Sequence, residues 1–427
     1  MENKSGIKSF VEAFAMKTRR CIIIMITAAL ILSGLSGCDI SLLQKHESNP
    51  GITRFPSAVD LGRGKLTTIP AYDIYKPGFL QVDLRSYDLT ANNLKERYSD
   101  LIHADFDMLT KWPYALPVGF DPKKIFKYGK NPGLNIHSLH KEGVTGSGVG
   151  IAIIGSALLT DHIEYRDRLM LYEELDCRDE TATVAGCAAV SVAAGKSTGV
   201  APGASIYYIA CTLNNESEPA SDNTSNTSAA EAINRIIEIN RTLPQANKIR
   251  VLLISEGWDP ADTGNENAMK AIEMAKQDGI FVITDSLPKV YDHEMDYKGL
   301  GRDPLADPDD ADSYVPGNDW AGRFFLFQRY TRAREALLVP MDSRCTASPI
   351  GHNDYAFYRT GDPVMAPAYI AGLYALACQV RPDTDPQLFW EKALETGDIV
   401  IVKNDNIEHE YKLKKIVDPL ELIHGLS

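Results

Sequence analysis

The chain of 427 residues lacks the patterns that mark several common classes of protein. Its seven cysteines form no C-x-x-C pair, which argues against a zinc site or a disulfide framework. It has no long basic run, and 57 acidic side chains against 44 basic ones give a net charge of −13. An acidic chain of this kind is poorly suited to a phosphate backbone, so we expect no nucleic-acid partner. The 44% content of hydrophobic residues is ordinary for a globular protein and excludes a disordered chain.

The N-terminal segment predicts export from the cytoplasm. Three basic side chains within residues 17–20 precede an apolar run, residues 22–35, that is too short for a comfortable membrane span. The run ends in LSGC (35–38), which resembles the bacterial lipobox and implies a lipid on Cys38 with cleavage just before it. An N-terminal anchor that is never cleaved is the alternative. Both predictions place the rest of the chain at the cell membrane of a bacterium, on its extracytoplasmic face.

Breaks in composition predict one large domain preceded by three shorter segments. We expect a lipoprotein signal peptide (1–37), a lipidated cysteine with a flexible tether (38–70), an extension that packs on the main domain (71–132) and an α/β domain (133–427). Residues 287–333 of that domain predict an irregular acidic insertion. The signal carries five basic and two acidic side chains, so cleavage takes the net charge to −16. A surface this acidic favours a domain held away from anionic lipid.

Buried-strand patterns alternate with helical patterns from residue 133 onward. Continuous apolar runs occur at 149–154 (VGIAII), 250–255 (RVLLIS) and 280–284 (IFVIT). Small-residue and amphipathic helical patterns separate them, including 185–195 (AGCAAVSVAAG) and 228–243. This alternation predicts a doubly wound α/β fold with a mostly parallel sheet and helices on both faces.

Three motifs point to a family. They are GVTGSGVGIAII (143–154), GVAPGASIYYI (199–209) and DPVMAPAYIAG (362–372). The glycines of the first motif precede a strand, whereas those of a dinucleotide-binding loop follow one, so a nucleotide site is excluded there. In this order and at these spacings, the motifs resemble the subtilisin-like serine peptidases, or subtilases. The resemblance covers residues 133–398 and implies a subtilisin-like fold with serine endopeptidase chemistry.

The positions at which the resemblance implies a catalytic triad are all substituted. The family's Asp follows the first strand, where this chain has Gly155. The family's His begins the next helix, where one register gives Ala185 and a second register gives Glu180. The family's nucleophilic Ser precedes the last core helix, where this chain has Val364. Because the serine needs the histidine and the histidine needs the aspartate, the site is predicted to be degenerate.

The rest of the implied cleft is partly retained. The segment that should supply the oxyanion Asn reads DSLP (285–288), in which Ser286 offers one weak donor. Ser255, Glu256 and Gly257 match the S-x-G strand that pairs with substrate backbone in subtilases, and such an edge captures extended peptides by β-augmentation. Trp258 either anchors a bound peptide or covers the floor of the cleft. These four residues are the predicted peptide-binding cleft.

Relocated catalytic groups are the alternative to a degenerate site. His162 follows Asp161 beyond the first strand, and we expect it to hydrogen-bond a loop. His352 precedes Val364 in the chain and is the candidate for a relocated base. Cys187 lies inside an apolar helix, where thiols are inert.

An acidic cluster in the insertion is the candidate cation site. Its members are Asp307, Asp309, Asp310 and Asp312. Carboxylates are hard ligands that suit calcium, but the spacing matches no EF-hand loop. A solvated acidic loop is therefore the favoured interpretation, and we expect no cofactor, with calcium as the alternative.

Three hypotheses of function follow. The first is a membrane-anchored pseudoprotease that binds or regulates an extracytoplasmic protein or peptide. The second is a serine-type endopeptidase with a rearranged active site. The third is an envelope protein that acts through its extension or acidic insertion and leaves the cleft unused. The substitution of all three triad positions favours the first.

Overall fold

The computed structural model describes residues 51–75, 78–213, 224–255, 266–322, 336–404 and 407–427. All of these belong to one compact unit, residues 49–427. The predicted signal peptide and Cys38 lie outside the described residues. Within the described ranges, no helix has the length and apolar character needed to cross a bilayer.

The described strands, in chain order, are β1 (Val82–Asp83), β2 (Ala104–Asp107), β3 (Gly150–Gly155), β4 (Leu169–Glu174), β5 (Ser205–Ala210), β6 (Ile249–Ile254), β7 (Phe281–Ile283), β8 (Tyr297–Arg302), β9 (Tyr314–Pro316), β10 (Leu337–Pro340), β11 (Arg344–Ala347), β12 (Tyr355–Tyr358), β13 (Asp398–Asn404) and β14 (Ile407–Ile416). The described α-helices are α1 (Tyr98–Leu101), α2 (Pro122–Lys130), α3 (Ile136–Lys141), α4 (Val184–Ala194), α5 (Thr224–Thr242), α6 (Glu266–Gln277), α7 (Leu287–Val290), α8 (Met365–Val380), α9 (Pro386–Glu395) and α10 (Pro419–Leu426).

A five-stranded sheet forms the centre of the domain. Its order is β4-β5-β3-β6-β7, and every pairing is parallel. Alternate residues of β3 face opposite ways: Ile151 and Ile153 pack in a core with α4 and α8, whereas Ala152 and Ile154 pack in a second core with α5 and α6. Helices therefore cover both faces of a parallel sheet. The predicted α/β fold class, with a mostly parallel sheet and helices on both faces, is confirmed.

The helix α8 packs unusually close to its neighbours because its residues are small. A Cβ at Gly372 would lie 2.6 Å from the Cβ of Val200 and 2.8 Å from the carbonyl oxygen of Ala193 in α4. Since real Cβ atoms do not approach other atoms so closely, only glycine allows this crossing. The Ala-Gly pair in the third sequence motif is thus explained by helix packing.

Residues 287–322, the described part of the predicted insertion, are more regular than the sequence suggested. They contain α7, β8 and β9, and these strands belong to a second sheet of order β13-β14-β10-β8-β9. The prediction of an irregular insertion was wrong because the glycines of β8 indicated a loop. A Cβ at Gly299 would lie 2.3 Å from Sδ of Met341, so the glycine serves close packing of the strand instead.

The extension is joined to the domain by a third sheet, of order β1-β2-β12-β11. Strand β2 pairs with β12 in antiparallel register, and Phe106 lies opposite Phe357. A separate core of apolar side chains from residues 69–125 includes Cys345 and Phe357 of the main domain. The extension and β11–β12 therefore share one hydrophobic core.

Residues 51–70 were predicted as part of a flexible tether, and the structure corrects this. The backbone N–H of Thr53 donates to the carbonyl of Tyr172 at 3.0 Å. The guanidinium of Arg54 donates to Glu174 at 2.6 Å and to the carbonyl of Asp179 at 2.7 Å. The polar composition suggested a linker, but the backbone of Thr53 and the side chain of Arg54 bind β4, the edge strand of the central sheet.

Candidate functional site

The three positions at which the resemblance implies triad residues lie toward the carboxyl end of the strands of the central sheet. Gly155 ends β3, and the N–H of Thr183, at the start of α4, donates to the carbonyl of Ala157 at 2.8 Å. Near the C-terminal end of α8, the side-chain oxygen of Gln379 accepts backbone N–H bonds from residues 145–147, just before β3. The C-terminal end of the helix therefore lies beside the start of β3. A 16-residue helix is about 24 Å long. Its first residues, including Val364 at the N-cap, therefore lie toward the carboxyl end of β3.

The space in which a side chain at position 155 would begin is already filled. A Cβ on Gly155 would lie 2.0 Å from Oγ of Ser255 and 3.0 Å from the hydroxyl of Tyr208. Ser255 is buried, and its Oγ has no hydrogen-bond partner among the described residues. The hydroxyl of Tyr208 donates to the carbonyl of Ser156 at 2.6 Å. An aspartate at 155 would therefore require Ser255 to move.

Hydroxyl groups occupy the start of α4. Thr183 is the N-cap residue, and its Oγ1 accepts from the N–H of Gly186 at 3.0 Å. The same oxygen lies 2.6 Å from Oγ of Ser156. Ala185 lies in the first turn of the helix, whereas Glu180 is exposed and precedes the helix. The structure thus places Ala185, not Glu180, at the helix start, where the resemblance implied a histidine.

Val364 is buried against the core rather than open to solvent. Its backbone N–H donates to Oδ1 of Asp362 at 3.0 Å. Burial raises the pKa of Asp362, and the hydrogen bond from Val364 opposes this effect. Asp362, the carboxylate nearest to Val364 in the sequence, therefore binds the backbone of the turn that begins α8.

Ser286 of the predicted oxyanion region and Ser255 of the predicted peptide-binding cleft each follow a strand of the central sheet. Ser286 is half-buried just after β7, and its backbone N–H donates to Oγ1 of Thr284 at 2.9 Å. Ser255 follows β6 directly, and its hydroxyl points to Gly155, as given above. The other three residues of the predicted cleft, Glu256, Gly257 and Trp258, lie outside the described residues.

The two histidines considered as relocated bases have structural partners. His162 is fully buried: Nε2 lies 2.9 Å from the carbonyl of Asp354, and Nδ1 accepts from the N–H of Glu164 at 3.2 Å. Because Nδ1 accepts a hydrogen bond, the proton of the neutral ring lies on Nε2. Burial lowers the pKa of His162, which also favours the neutral ring. His352 is largely exposed, and its Nδ1 lies 2.8 Å from Oδ1 of Asp161. Cys187 is fully buried, and burial raises the pKa of its thiol to about 11.

Three of the four aspartates of the candidate cation site, Asp307, Asp309 and Asp310, bind protein groups through their carboxylates. Asp309 accepts from the side chain of Asn131 at 2.8 Å and from the backbone N–H of Asn135 at 2.9 Å. Asp307 and Asp310 each accept a backbone N–H two residues further on, at 3.0 Å. Within the described residues, no three His, Cys, Asp or Glu side chains are grouped so as to hold a metal ion. Calcium binding by Asp307, Asp309, Asp310 and Asp312 stays a prediction.

Three hydroxyl groups lie at this end of the sheet, those of Ser156, Thr183 and Ser255. Within the described ranges, the hydroxyls of Ser156, Thr183 and Ser255 have no imidazole or carboxylate as a hydrogen-bond partner. A hydroxyl without a base stays neutral and is a weak nucleophile. Sequence reasoning missed the parts played by Thr183 and Tyr208. Thr183 precedes a helical pattern and was recognisable as an N-cap, whereas nothing in the sequence indicated that Tyr208 reaches Ser156.

No protein-family model matches this chain, and no curated protein matches it by sequence. Among solved structures, it is similar to the prenylagaramide maturation protease PagA, with 15% identity and a TM-score of 0.45 over 69% of this chain and 98% of that one. It is also similar to fervidolysin from Fervidobacterium pennivorans, a keratinolytic enzyme related to subtilisin, with 14% identity and a TM-score of 0.46 over 70% and 45%. A third such structure is the MycP3 protease of the type VII (ESX-3) secretion system, with 14% identity and a TM-score of 0.46 over 72% and 90%. Similarities of this size concern the fold alone.

Proposed function

We propose that the protein is a lipid-anchored, extracytoplasmic pseudoprotease that binds a protein or peptide without hydrolysing it. The proposal rests on the residues that stand at the three implied triad positions, Gly155, Ala185 and Val364, and on the position of the Ser255 hydroxyl beside Gly155. Losing the triad serine or histidine alone typically lowers the rate about a millionfold. The oxyanion hole and binding by themselves leave roughly a thousandfold acceleration over water, which is too little for a useful peptidase.

The contact between Gly155 and Ser255 is the observation that carries the proposal. The Cβ of any side chain at 155 would lie 2.0 Å from Oγ of Ser255, so an aspartate there would require the hydroxyl of Ser255 to move. In the described arrangement, this hydroxyl occupies the place at which such a side chain would begin.

The membrane anchor is proposed from the sequence of residues 17–38. Basic side chains, a short apolar run and LSGC at 35–38 form the pattern of a lipoprotein signal. Residues 51–75 are described and contact the domain. The chain between Cys38 and Gly51 would then be the connection between lipid and domain.

A direct test uses the purified full-length protein. We expect no labelling by a fluorophosphonate, which reacts with activated serines, and no cleavage of casein or fluorogenic peptides. Val364→Ser should stay unreactive too, because a serine there has no histidine to take its proton. Subtilisin under the same conditions is the positive control.

Labelling or turnover by the unchanged protein would overturn the proposal and favour the rearranged peptidase. The alanine variants of His162, His352 and Ser286 would then identify the relocated group, since one of them must lose turnover. His352 is the first candidate, because it is largely exposed and lies 2.8 Å from a carboxylate oxygen of Asp161.

A further inference from the structure

Large apolar side chains are exposed mainly in the N-terminal extension. In the described part of the chain, eight of fourteen exposed large hydrophobic residues lie between positions 74 and 118. Two of them, Tyr114 and Val118, are fully exposed, with 106% and 101% of their reference areas accessible. Met108 and Leu109 are half exposed. Side chains this accessible add nothing to the core, so folding does not explain their apolar character.

A cluster of four aromatic rings holds the segments that carry these side chains. Phe106 contacts Trp112 and Phe126 with ring centroids 5.1 and 5.3 Å apart, and Trp112 contacts Phe120 at 5.4 Å. Met108 and Leu109 follow Phe106, whereas Tyr114 and Val118 lie between Trp112 and Phe120. The exposed residues therefore lie in segments that one aromatic cluster holds together.

The same segments carry a concentration of positive charge. Residues 108–130 contain five lysines and one aspartate, a net charge of +4 within a chain whose total is −13. In α2, Ile125 and Gly129 face the core, and Lys123, Lys124 and Lys127 are exposed. The only acid of the segment, Asp121, accepts the backbone N–H groups of Lys123 and Lys124 at 3.0 Å. Within this segment, no acidic side chain offsets the lysine ammonium groups.

We propose that this basic apolar patch docks on an anionic membrane surface. The patch consists of Met108, Leu109, Tyr114, Val118, Lys123, Lys124 and Lys127. Apolar and aromatic side chains enter the interface between headgroups and acyl chains, while lysines are attracted to anionic lipid. The sequence as a whole favoured repulsion from such lipid, but the local charge of the patch has the opposite sign.

The length of the chain outside the structure is compatible with this docking. Twelve residues separate Cys38 from Gly51, and the thirteen Cα–Cα steps between these two residues span at most about 45 Å when fully extended. A lipid on Cys38, as proposed above, would keep the domain within about its own diameter of the bilayer. Docking itself rests on the patch and not on the lipid, so the two can be tested separately.

Fluorescence at position 118 tests the docking. The variant Val118→Cys is labelled with the environment-sensitive dye NBD in the full-length protein on vesicles. Cys21 is replaced by serine, and Cys38 is blocked by its lipid in the cleaved protein or replaced by serine in an uncleaved chain, so neither is labelled. The other native thiols compete little: Cys187, Cys211, Cys345 and Cys378 are buried, and burial raises the pKa of the half-buried Cys177 to about 11. The matched control is Met274→Cys on α6, an exposed apolar position of the main domain. A lipid on Cys38 and an uncleaved apolar segment both hold the chain on vesicles, so position 118 is tested in either case.

We expect the NBD emission of residue 118 to rise and shift to the blue on vesicles containing phosphatidylglycerol, and to do so much less on phosphatidylcholine alone. The dye at residue 274 should stay in water on both. Attraction to anionic lipid changes partitioning about fivefold per lysine, so Lys123→Gln, Lys124→Gln and Lys127→Gln together should shift the docking equilibrium about a hundredfold. The charge-matched control is Lys141→Gln, Lys270→Gln and Lys412→Gln, which are exposed outside the patch.

Two results would overturn the docking proposal. One is water-exposed NBD at position 118 on anionic vesicles, equal to that at 274. The other is an equally blue-shifted NBD emission at position 118 on phosphatidylcholine and on phosphatidylglycerol. The patch would then be covered by something other than anionic lipid, such as another part of this chain, a second copy or another protein. Mass spectrometry of the N-terminal peptide reports lipidation independently, so a missing lipid would contradict the anchor and leave the docking result standing.

Discussion

The hydroxyl oxygen of Ser255 occupies the space in which a side chain at Gly155 would begin. A Cβ at that glycine would lie 2.0 Å from Oγ and 3.3 Å from Cβ of Ser255. Gly155 has no positive φ, so crowding by a neighbour, and not backbone conformation, keeps the position free of a side chain. The contact can therefore be tested by its effect on the free energy of unfolding, without any assay of catalysis.

The first prediction concerns crowding at position 155. We expect Gly155→Ala to lower the free energy of unfolding by about 1 to 3 kcal/mol, the usual cost of adding a methyl group to a packed core. In a Ser255→Gly background, most of this cost should disappear because the obstructing hydroxyl is gone. Urea denaturation of the four proteins of this double-mutant cycle measures the coupling. Equal costs in both backgrounds would show that Ser255 does not obstruct the site.

The second prediction concerns Glu164, a buried carboxylate near His162. It accepts the N–H and the hydroxyl of Ser197, at 2.7 and 2.6 Å, and the hydroxyl of Tyr355. Burial would raise the pKa of Glu164, but these hydrogen bonds outweigh it and hold the pKa below the ordinary 4.5. The stabilisation is therefore complete above pH 4.5 and is lost as the pH falls through the lower folded-state pKa.

Glu164→Gln should accordingly cost about 1 to 3 kcal/mol at pH 7, the typical penalty for disturbing a buried charged hydrogen-bond group. Its cost should shrink in acid, where the carboxylate of the unchanged protein is protonated. Tyr355→Phe is the control, because it removes one donor and keeps the charge. A cost for Glu164→Gln that is the same at pH 7 and in acid would contradict the assignment.

The third prediction uses the opposite shift at Asp105. Burial raises the pKa of Asp105 to about 7, although the N–H of Arg359 bonds to it at 2.8 Å, and the neighbouring carboxylate of Asp83 adds to the rise. The folded protein then keeps a proton that the unfolded chain loses near pH 3.8. Stability from this group is full below that pH and falls by about 1.4 kcal/mol per unit as the pH rises toward 7.

Asp105→Asn should remove this slope and raise the free energy of unfolding at pH 8 by about 1 to 4 kcal/mol. The amide keeps an acceptor for the N–H of Arg359 and carries no charge to bury. Asp167→Asn, which alters an exposed carboxylate, is the control and should have little effect. Urea denaturation at pH 5 and pH 8 measures how the free energy of unfolding depends on pH. The same pH dependence in Asp105→Asn as in the unchanged protein would refute the raised pKa of Asp105.

The sequence predicted β3, β6 and β7 because each of them coincides with an apolar run. Small-residue and amphipathic patterns likewise predicted α4 and α5. The sequence did not predict β4, whose residues LMLYEE end in two glutamates, or β8, since a strand with Gly299 and Gly301 has the composition of a loop until the packing against Met341 is known. The residues at the implied triad positions were readable one by one from the sequence. The approach of Ser255 and Tyr208 to Gly155 was not, because it depends on contacts between residues 50 to 100 positions apart.

The fourth prediction concerns the lipid anchor. If LSGC at 35–38 directs lipidation, the mature protein should begin at Cys38 and carry a diacylglyceryl group, which mass spectrometry of the N-terminal peptide detects. Cys38→Ser should abolish both the modification and the cleavage, so the chain keeps residues 1–37 and runs at a higher mass. Cys177→Ser is the matched control, since it removes a half-buried thiol outside the signal. An unmodified Cys38 in a chain that still begins at residue 1 would support the uncleaved anchor instead. Stable attachment generally needs a second contact beside one lipid group, so a cleaved and lipidated protein with a mutated basic apolar patch should also be more easily extracted from membranes.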